Sequence, residues 1–158
     1  MRAKISVDTG LDHMRKAHRI LSGLDEPNLQ LHIEVITKLS SVLMRDKGLD
    51  EALQLIKKAI QLTNKQGDAE LFVMQAKIQE RKGLNQEAIE SFTQALKVQG
   101  PSQAPPKPGL FFHIACCQER VEDFKKAVLN YKKCLTLDAR HFAACLHLAN
   151  LLANVGEG

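Results

Sequence analysis

RKGLNQEAIESFTQALKVQGP, Arg81–Pro101, is the stretch whose reading decides the fold. Gly83 marks a tight turn, Ala88, Phe92 and Ala95 then fall at i, i+4 and i+7, and Gly100-Pro101 closes the segment. A small, large, small stripe on one face predicts a helix that another helix approaches closely. A single amphipathic helix of this length is marginal in water, so the stripe implies neighbours that cover it. It also implies further copies of the unit.

Working outward, Asp68 is the expected N-cap of a helix carrying Leu71, Phe72, Ala76 and Ile78 and stopping at Gly83. Before it, Leu49–Leu62 repeats the stripe as Ala52, Ile56 and Ala59. Leu31–Arg45 carries Ile33, Ile36, Leu39, Leu43 and Met44 and ends at Lys47-Gly48. Leu11, Met14, His18, Leu21 and Leu24 share a further stripe, between Gly10 and a break at Asp25-Glu26-Pro27, with a separate short helix or irregular end expected over residues 1–8. On the other side, residues 99–109 (QGPSQAPPKPG) hold four of the five prolines and cannot be helical throughout. That segment is either an insertion stiffened by proline or a polyproline ligand. Leu110–Arg120, Phe124–Leu137 and His141–Val155 are the remaining expected helices.

β-branched alternation is nowhere convincing and the 3.6-residue period recurs throughout, so the fold class is all-α. The 158 residues suit one domain or a row of about four to five small repeats. With 44% apolar and 25% charged residues the chain has a folded composition, and with 4% aromatics and no Trp it lacks large stacking surfaces. The net charge of +4 comes from Lys interleaved with Glu, weak grounds for an anionic partner. The N-terminal MRAKISVDTG has no apolar signal core, and no run reaches the roughly 18 apolar residues of a membrane span. Cys116, Cys117, Cys134 and Cys145 lie inside helical patterns without framework spacing, as expected in the reducing cytoplasm or nucleus.

Ala17, Ala52, Ala88 and Ala127 head successive stripes 35, 36 and 39 residues apart. With a period of about 34 residues and short insertions, the chain resembles tetratricopeptide repeats, helix-turn-helix units patterned large, small, glycine turn, Ala, aromatic, Ala. Phe72, Ala76, Gly83, Ala88, Phe92 and Ala95 fit one repeat; Phe111, Ala115, Ala127, Tyr131 and Cys134 fit the next, with Glu122 in place of the turn glycine. An earlier repeat keeps Ile36, Leu39, Ser40, Ala52, Ile56 and Ala59, but Gly48 stands four residues before its alanine where Gly83 stands five, which predicts a turn tightened by one residue. Cys145, Leu148, Ala149, Leu152 and Gly156 match the first half of one more. The resemblance implies a right-handed α-solenoid of antiparallel helix pairs, divided as 1–30 (degenerate half-repeat), 31–66, 67–102, 103–107 (proline-rich insertion), 108–141 and 142–158 (first helix of a further repeat). A last helix without its partner leaves an apolar face bare, so a piece of a longer repeat protein, self-capping, or self-association through that helix is expected.

In such repeats the first helices line a concave groove, and the resemblance implies that Arg45, Met74, Lys77, Arg81, Phe112, His113, Cys116, Arg120, Leu146, His147 and Asn150 face it. Arg45, Arg81 and Arg120 hold one repeat position and would form a ladder beside Met74, Phe112 and Leu146, suited to an acidic peptide with an apolar anchor. Each arginine also stands in a last helical turn, where the macrodipole favours a cation. The positions at which some relatives clamp a chaperone's C-terminal carboxylate hold Thr37, Ser41, Met74, Gly109 and His113, so that clamp is missing.

His113 with Cys117 and His141 with Cys145 are i,i+4 pairs, but Cys117 and Cys145 fall on packing positions and no CxxC or HExxH occurs; neither metal nor other cofactor is expected. Cys116 faces the groove and is a candidate oxidisable thiol should His113 or Arg120 stabilise its thiolate. No phosphate loop, nucleophile elbow or isolated acid pair is present, so no enzyme is expected. The function expected is a protein-binding scaffold in a multiprotein complex. The alternatives are an RNA-binding helical repeat, opposed by scarce aromatics and groove glutamates, and a spacer or dimerisation module.

Overall fold

The computed structural model describes residues 2–24, 28–63, 68–99 and 105–156, with side chains from residue 10 onward. The expected break at Asp25-Glu26-Pro27, the stop at Gly100-Pro101 and positions 103–104 of the proline-rich insertion lie outside the described residues. Among those described the chain forms eight helices and no strand: α1 Arg2–Ser22, α2 Leu29–Arg45, α3 Leu49–Leu62, α4 Ala69–Arg81, α5 Asn85–Gln99, α6 Pro108–Arg120, α7 Phe124–Leu137 and α8 Phe142–Gly156. They divide into two compact units, Met1–Gly67 and Asp68–Gly158.

In the first unit α2 packs on both α1 and α3. The Asn28 side chain accepts the Leu31 N–H at 3.1 Å and so caps α2. Ile36, Leu39 and Leu43 of α2 meet the α3 stripe Ala52, Ile56 and Ala59, all buried. Arg15 of α1 donates to both Glu51 carboxylate oxygens on α3, at 2.9 and 2.8 Å. The separate segment expected at residues 1–8 is corrected: α1 is continuous from Arg2, because residues 2–10 contain no proline and a lone Gly10 costs a helix only about 1 kcal/mol. Leu24, expected on the α1 stripe, lies beyond the helix end and is exposed.

In the second unit α4 pairs with α5 and α6 with α7, while α6 also packs on α5 and α8 on α7. Phe92 of α5 sits among Ala76, Ala88, Leu110, Ile114 and Cys117. Tyr131 of α7 sits among Ala115, Cys116, Ala127, Cys134, Ala144 and Leu151. The flanking alanines let the backbones approach, and the aromatic fills the space between; cutting a fully buried Phe92 to Ala would cost about 3–5 kcal/mol. Pro108 begins α6 in its first turn, where the missing N–H is harmless.

The turns correct the tightening expected at Gly48. Lys47, Gly83 and Glu122 all take left-handed conformations, with φ of 64°, 78° and 63°, and each precedes its stripe alanine by five residues. Each turn closes with the same i+5 hydrogen bond: Gly48 N–H to Leu43 O, Leu84 N–H to Gln79 O and Asp123 N–H to Gln118 O, all 2.9 Å. Lys47, not Gly48, is therefore the counterpart of Gly83, and Glu122 makes the same turn without glycine. Gly48 is small for a different reason: a Cβ there would lie 2.8 Å from Leu43 Cδ2.

Candidate functional site

The second unit carries a pocket of about 360 Å³ between the first turns of α4 and α6. Glu70, Val73 and Lys77 follow one another along α4 at i, i+3 and i+7, Gly109, Leu110 and His113 along α6 at i, i+1 and i+4, and Gln99 of α5 also lines it. Val73 and Leu110 provide an apolar floor. Lys77 and Lys107, both exposed, line it together with Asp68 and Glu70. Asp68 is already engaged as the α4 cap, accepting the Glu70 N–H at 3.1 Å. Gly109 leaves the pocket open, since a Cβ there would meet nothing within 4 Å.

Glu80 joins α4 to α6 beside this pocket. Its carboxylate is 3.0 Å from His113 Nδ1 through one oxygen and accepts Arg120 Nη1–H at 3.0 Å through the other. Burial alone would push the Glu80 carboxyl up, but the bonds from His113 and Arg120 outweigh it and hold the group below the ordinary carboxylate range. Arg120 also reaches Asn85 Oδ1 at 3.5 Å. The His113 ring stacks on Phe92, with centroids 5.6 Å apart.

A second cluster surrounds Phe112. His113, Tyr131, His141 and His147 place ring centroids 5.7, 6.0, 4.9 and 5.6 Å from it. Beneath, Tyr131 donates its hydroxyl to Glu119 Oε2 at 2.6 Å, and His147 Nδ1 lies 3.3 Å from the same oxygen. This bond network ties α8 to α6 and α7. Burial, with the bonds to Cys116 and Glu119, pushes the Tyr131 hydroxyl far up, so it keeps its proton.

Of the residues expected at the groove, Lys77 and His113 line the pocket, Phe112, His113 and His147 meet in the aromatic cluster, and Arg120 belongs to the Glu80 bridge. Met74 is half-buried on α4; Arg81, Leu146 and Asn150 are exposed on α4 and α8. Arg45 is exposed and belongs to the first unit, whereas the other ten belong to the second. Cys116 is buried, and burial pushes its thiol up more strongly than the Tyr131 bond and the Arg120 charge lower it, so the condition under which it would be an oxidisable thiol is not met. Burial likewise pushes Cys117 up to about 12. Cys145, expected to pack, is exposed because no described helix covers its face of α8. Among the described residues no three His, Cys, Asp or Glu side chains gather as metal ligands, and His141 Nδ1 instead accepts the Ala144 N–H at 3.2 Å.

Sequence reasoning missed Glu80 as the bridge, Tyr131 and His141 as cluster members, and Lys107 at the pocket rim. Glu80 and His113 are 33 residues apart, close to one repeat period, so superposing the repeats was the signal that could have found that bridge. Also unforeseen was His32 in the first unit, 2% exposed, with Nε2 3.0 Å from His18 Nδ1.

The tetratricopeptide repeat family model matches residues 69–100 and 108–141. The solved structures similar to this chain include MamA (17% identity, 98% of this chain and 82% of that one, TM-score 0.78). They also include BtubC from P. vanneervenii (13% identity, 98% and 68%, TM-score 0.82). A third is YrrB, described as a TPR protein with an unusual peptide-binding site (20% identity, 82% and 67%, TM-score 0.67). At these identities the likeness establishes the fold, an all-α solenoid built from helix pairs. No curated protein matches the sequence. No described helix is long and apolar enough to cross a membrane.

Proposed function

We propose that this chain, which carries tetratricopeptide repeats at residues 69–100 and 108–141, is a non-enzymatic scaffold that takes a segment of a partner protein in the α4–α6 pocket. The supporting observation is the pocket itself, where α4 and α6 contribute side chains at helical spacing around an open, apolar-floored space. Repeats of this family typically bind proteins, and YrrB is described as having a peptide-binding site. The partner segment offers an apolar side chain to Val73 and Leu110 and an acidic group to Lys77 and Lys107. Arg120, already engaged by Glu80, plays the smaller part, and Phe112 with His147 extends the surface toward α8. The repeat organisation is 31–66, 67–102 and 108–141, and the address is a reducing compartment, consistent with four free cysteines.

Selection of binders from a displayed peptide library tests this. Gly109→Trp fills the pocket from an open position, and Lys77→Glu reverses one rim charge. Selected peptides are expected to carry an acidic residue beside an apolar one and to lose at least about tenfold in affinity for Gly109→Trp, with unchanged helicity and melting. Peptides that bind Gly109→Trp as tightly as the parent, or a library that yields no binder, would overturn the proposal.

A further inference from the structure

α7 buries Ala127, Tyr131 and Cys134 against both α6 and α8. Two residues to either side of these, about 200° round the helix, stand Lys125, Leu129, Lys132, Lys133 and Thr136, all exposed. α7 therefore turns three lysines and a leucine away from both of its neighbours. The same places hold Asp50 with Lys57 and Lys58 on α3, and Glu90 with Lys97 on α5, so each of those faces mixes signs. Where α7 has Leu129, α3 has Gln54 and α5 has Glu90. Taken whole, α7 carries four lysines and no acidic residue, as many charges as the formal net +4 of the chain. Lys125 and Lys126 stand in its first turn, where the macrodipole disfavours a cation. Among the described residues only Lys126 of the four meets a carboxylate, Asp123 at 3.1 Å, while Lys133 lies over the Phe111 ring at 5.8 Å. Helix stability and internal pairing thus account for neither Lys125 nor Lys132.

We propose that this outward face of α7 docks an acidic helix of a partner protein, with carboxylates seven residues apart at Lys125 and Lys132 and an apolar side chain between them on Leu129. Charge complementarity selects the acids, and Leu129, 58% exposed between the lysines, selects the apolar contact. The two lysines are about 10.5 Å apart along the axis, two helical turns. An extended strand returns to one side about every 7 Å and would miss the second lysine. A planar anionic surface such as a bilayer fits less well, because Glu87 and Glu90 are exposed on α5 and the positive face is one helix wide. A nucleic-acid strand would find no aromatic ring to stack on among these side chains. None of them lines the α4–α6 pocket, so the proposal stands apart from the ligand assigned there.

The probe is a labelled helix of alanine and glutamine, stapled on its far side, with two glutamates seven residues apart and a leucine four after the first. It is titrated against the whole 158-residue chain by fluorescence anisotropy at low salt. Saturable binding is expected, at least about tenfold weaker for the double variant Lys125→Glu, Lys132→Glu and at least about threefold weaker for Leu129→Gln. A peptide with lysines in place of the glutamates should recover binding to the double variant. All three positions are exposed and Lys125→Glu suits the macrodipole, so melting temperatures that do not fall verify the fold. Gly109→Trp, which fills the pocket, should leave the affinity unchanged; loss of binding there would place the probe in the pocket and overturn the proposal. No saturable binding, or equal binding of a scrambled peptide of the same charge, also overturns it. So does adsorption to phosphatidylserine–phosphatidylcholine vesicles that the double variant abolishes while the peptide stays unbound, which would make the occupant a lipid surface.

Discussion

Ser40 is fully buried in α2, and its hydroxyl has no hydrogen-bond partner. The equivalent positions in the second unit are Ala76 and Ala115, equally buried. Ser40→Ala removes an unsatisfied buried hydroxyl, worth about 1–3 kcal/mol, and improves helix propensity by about 0.5 kcal/mol. Against this stands a gap the size of one oxygen, costing about 0.5 kcal/mol. The net expectation is a stabilisation of about 1–3 kcal/mol, and with a urea m-value of about 2 kcal/mol/M the midpoint should rise by about 0.5–1.5 M. Ser91→Ala is the matched control. Ser91 is also buried, but it donates to Gln79 Oε1 at 2.7 Å and accepts from Gln75 Nε2 at 3.0 Å. The same substitution there orphans Gln79 and should lower stability by about 1–2 kcal/mol. Urea unfolding followed by far-UV circular dichroism, with m unchanged, measures both. A loss of stability in Ser40→Ala, or shifts of the same sign in the two variants, would refute the reasoning.

The turns predict that Lys47→Gly and Glu122→Gly each stabilise by up to about 1 kcal/mol, because only glycine adopts their left-handed φ without strain, whereas Gly83→Ala costs about 1–2 kcal/mol; thermal melting distinguishes the directions. Acid sensitivity should arise at the α1–α2 contact, where burial, and after it the Lys58 charge, lowers the pKa of both His18 and His32. The folded state then binds fewer protons than the unfolded, so their contribution is intact above the ordinary histidine value near 6.5 and is lost as pH falls below it toward the lowered folded values. Urea midpoints measured across that window should fall with pH, and His18→Gln should flatten the slope.

The helices were legible because a stripe is a local, periodic property: Ala52-Ile56-Ala59 and Ala88-Phe92-Ala95 announce a buried face without any knowledge of what covers it. The turn after α2 was misread because glycine is the usual left-handed residue, and Gly48 stood beside the position that needed one. The strain at Lys47 is tolerated because the Leu43–Gly48 hydrogen bond and the close fit of Gly48 on Leu43 fix that backbone. The Glu80–Arg120 contact and the Phe112 cluster were illegible for the opposite reason, and only the Glu80–His113 spacing, close to one repeat period, carried a signal. Their members come from different helices, and no helical period links Glu80 to Arg120, 40 residues on.

The three stripes differ in their central side chain, Ile56, Phe92 and Tyr131, yet all three are fully buried. A pairing that accepts an aliphatic, an aromatic and a hydroxylated ring selects volume and lack of charge over identity, as cores tolerant of exchange do. The α4–α6 pocket obeys a different rule. The ligand proposed for it would be selected by charge and shape, through the ammonium groups of Lys77 and Lys107 and the open position at Gly109, so Lys77→Glu should separate ligands that differ in charge.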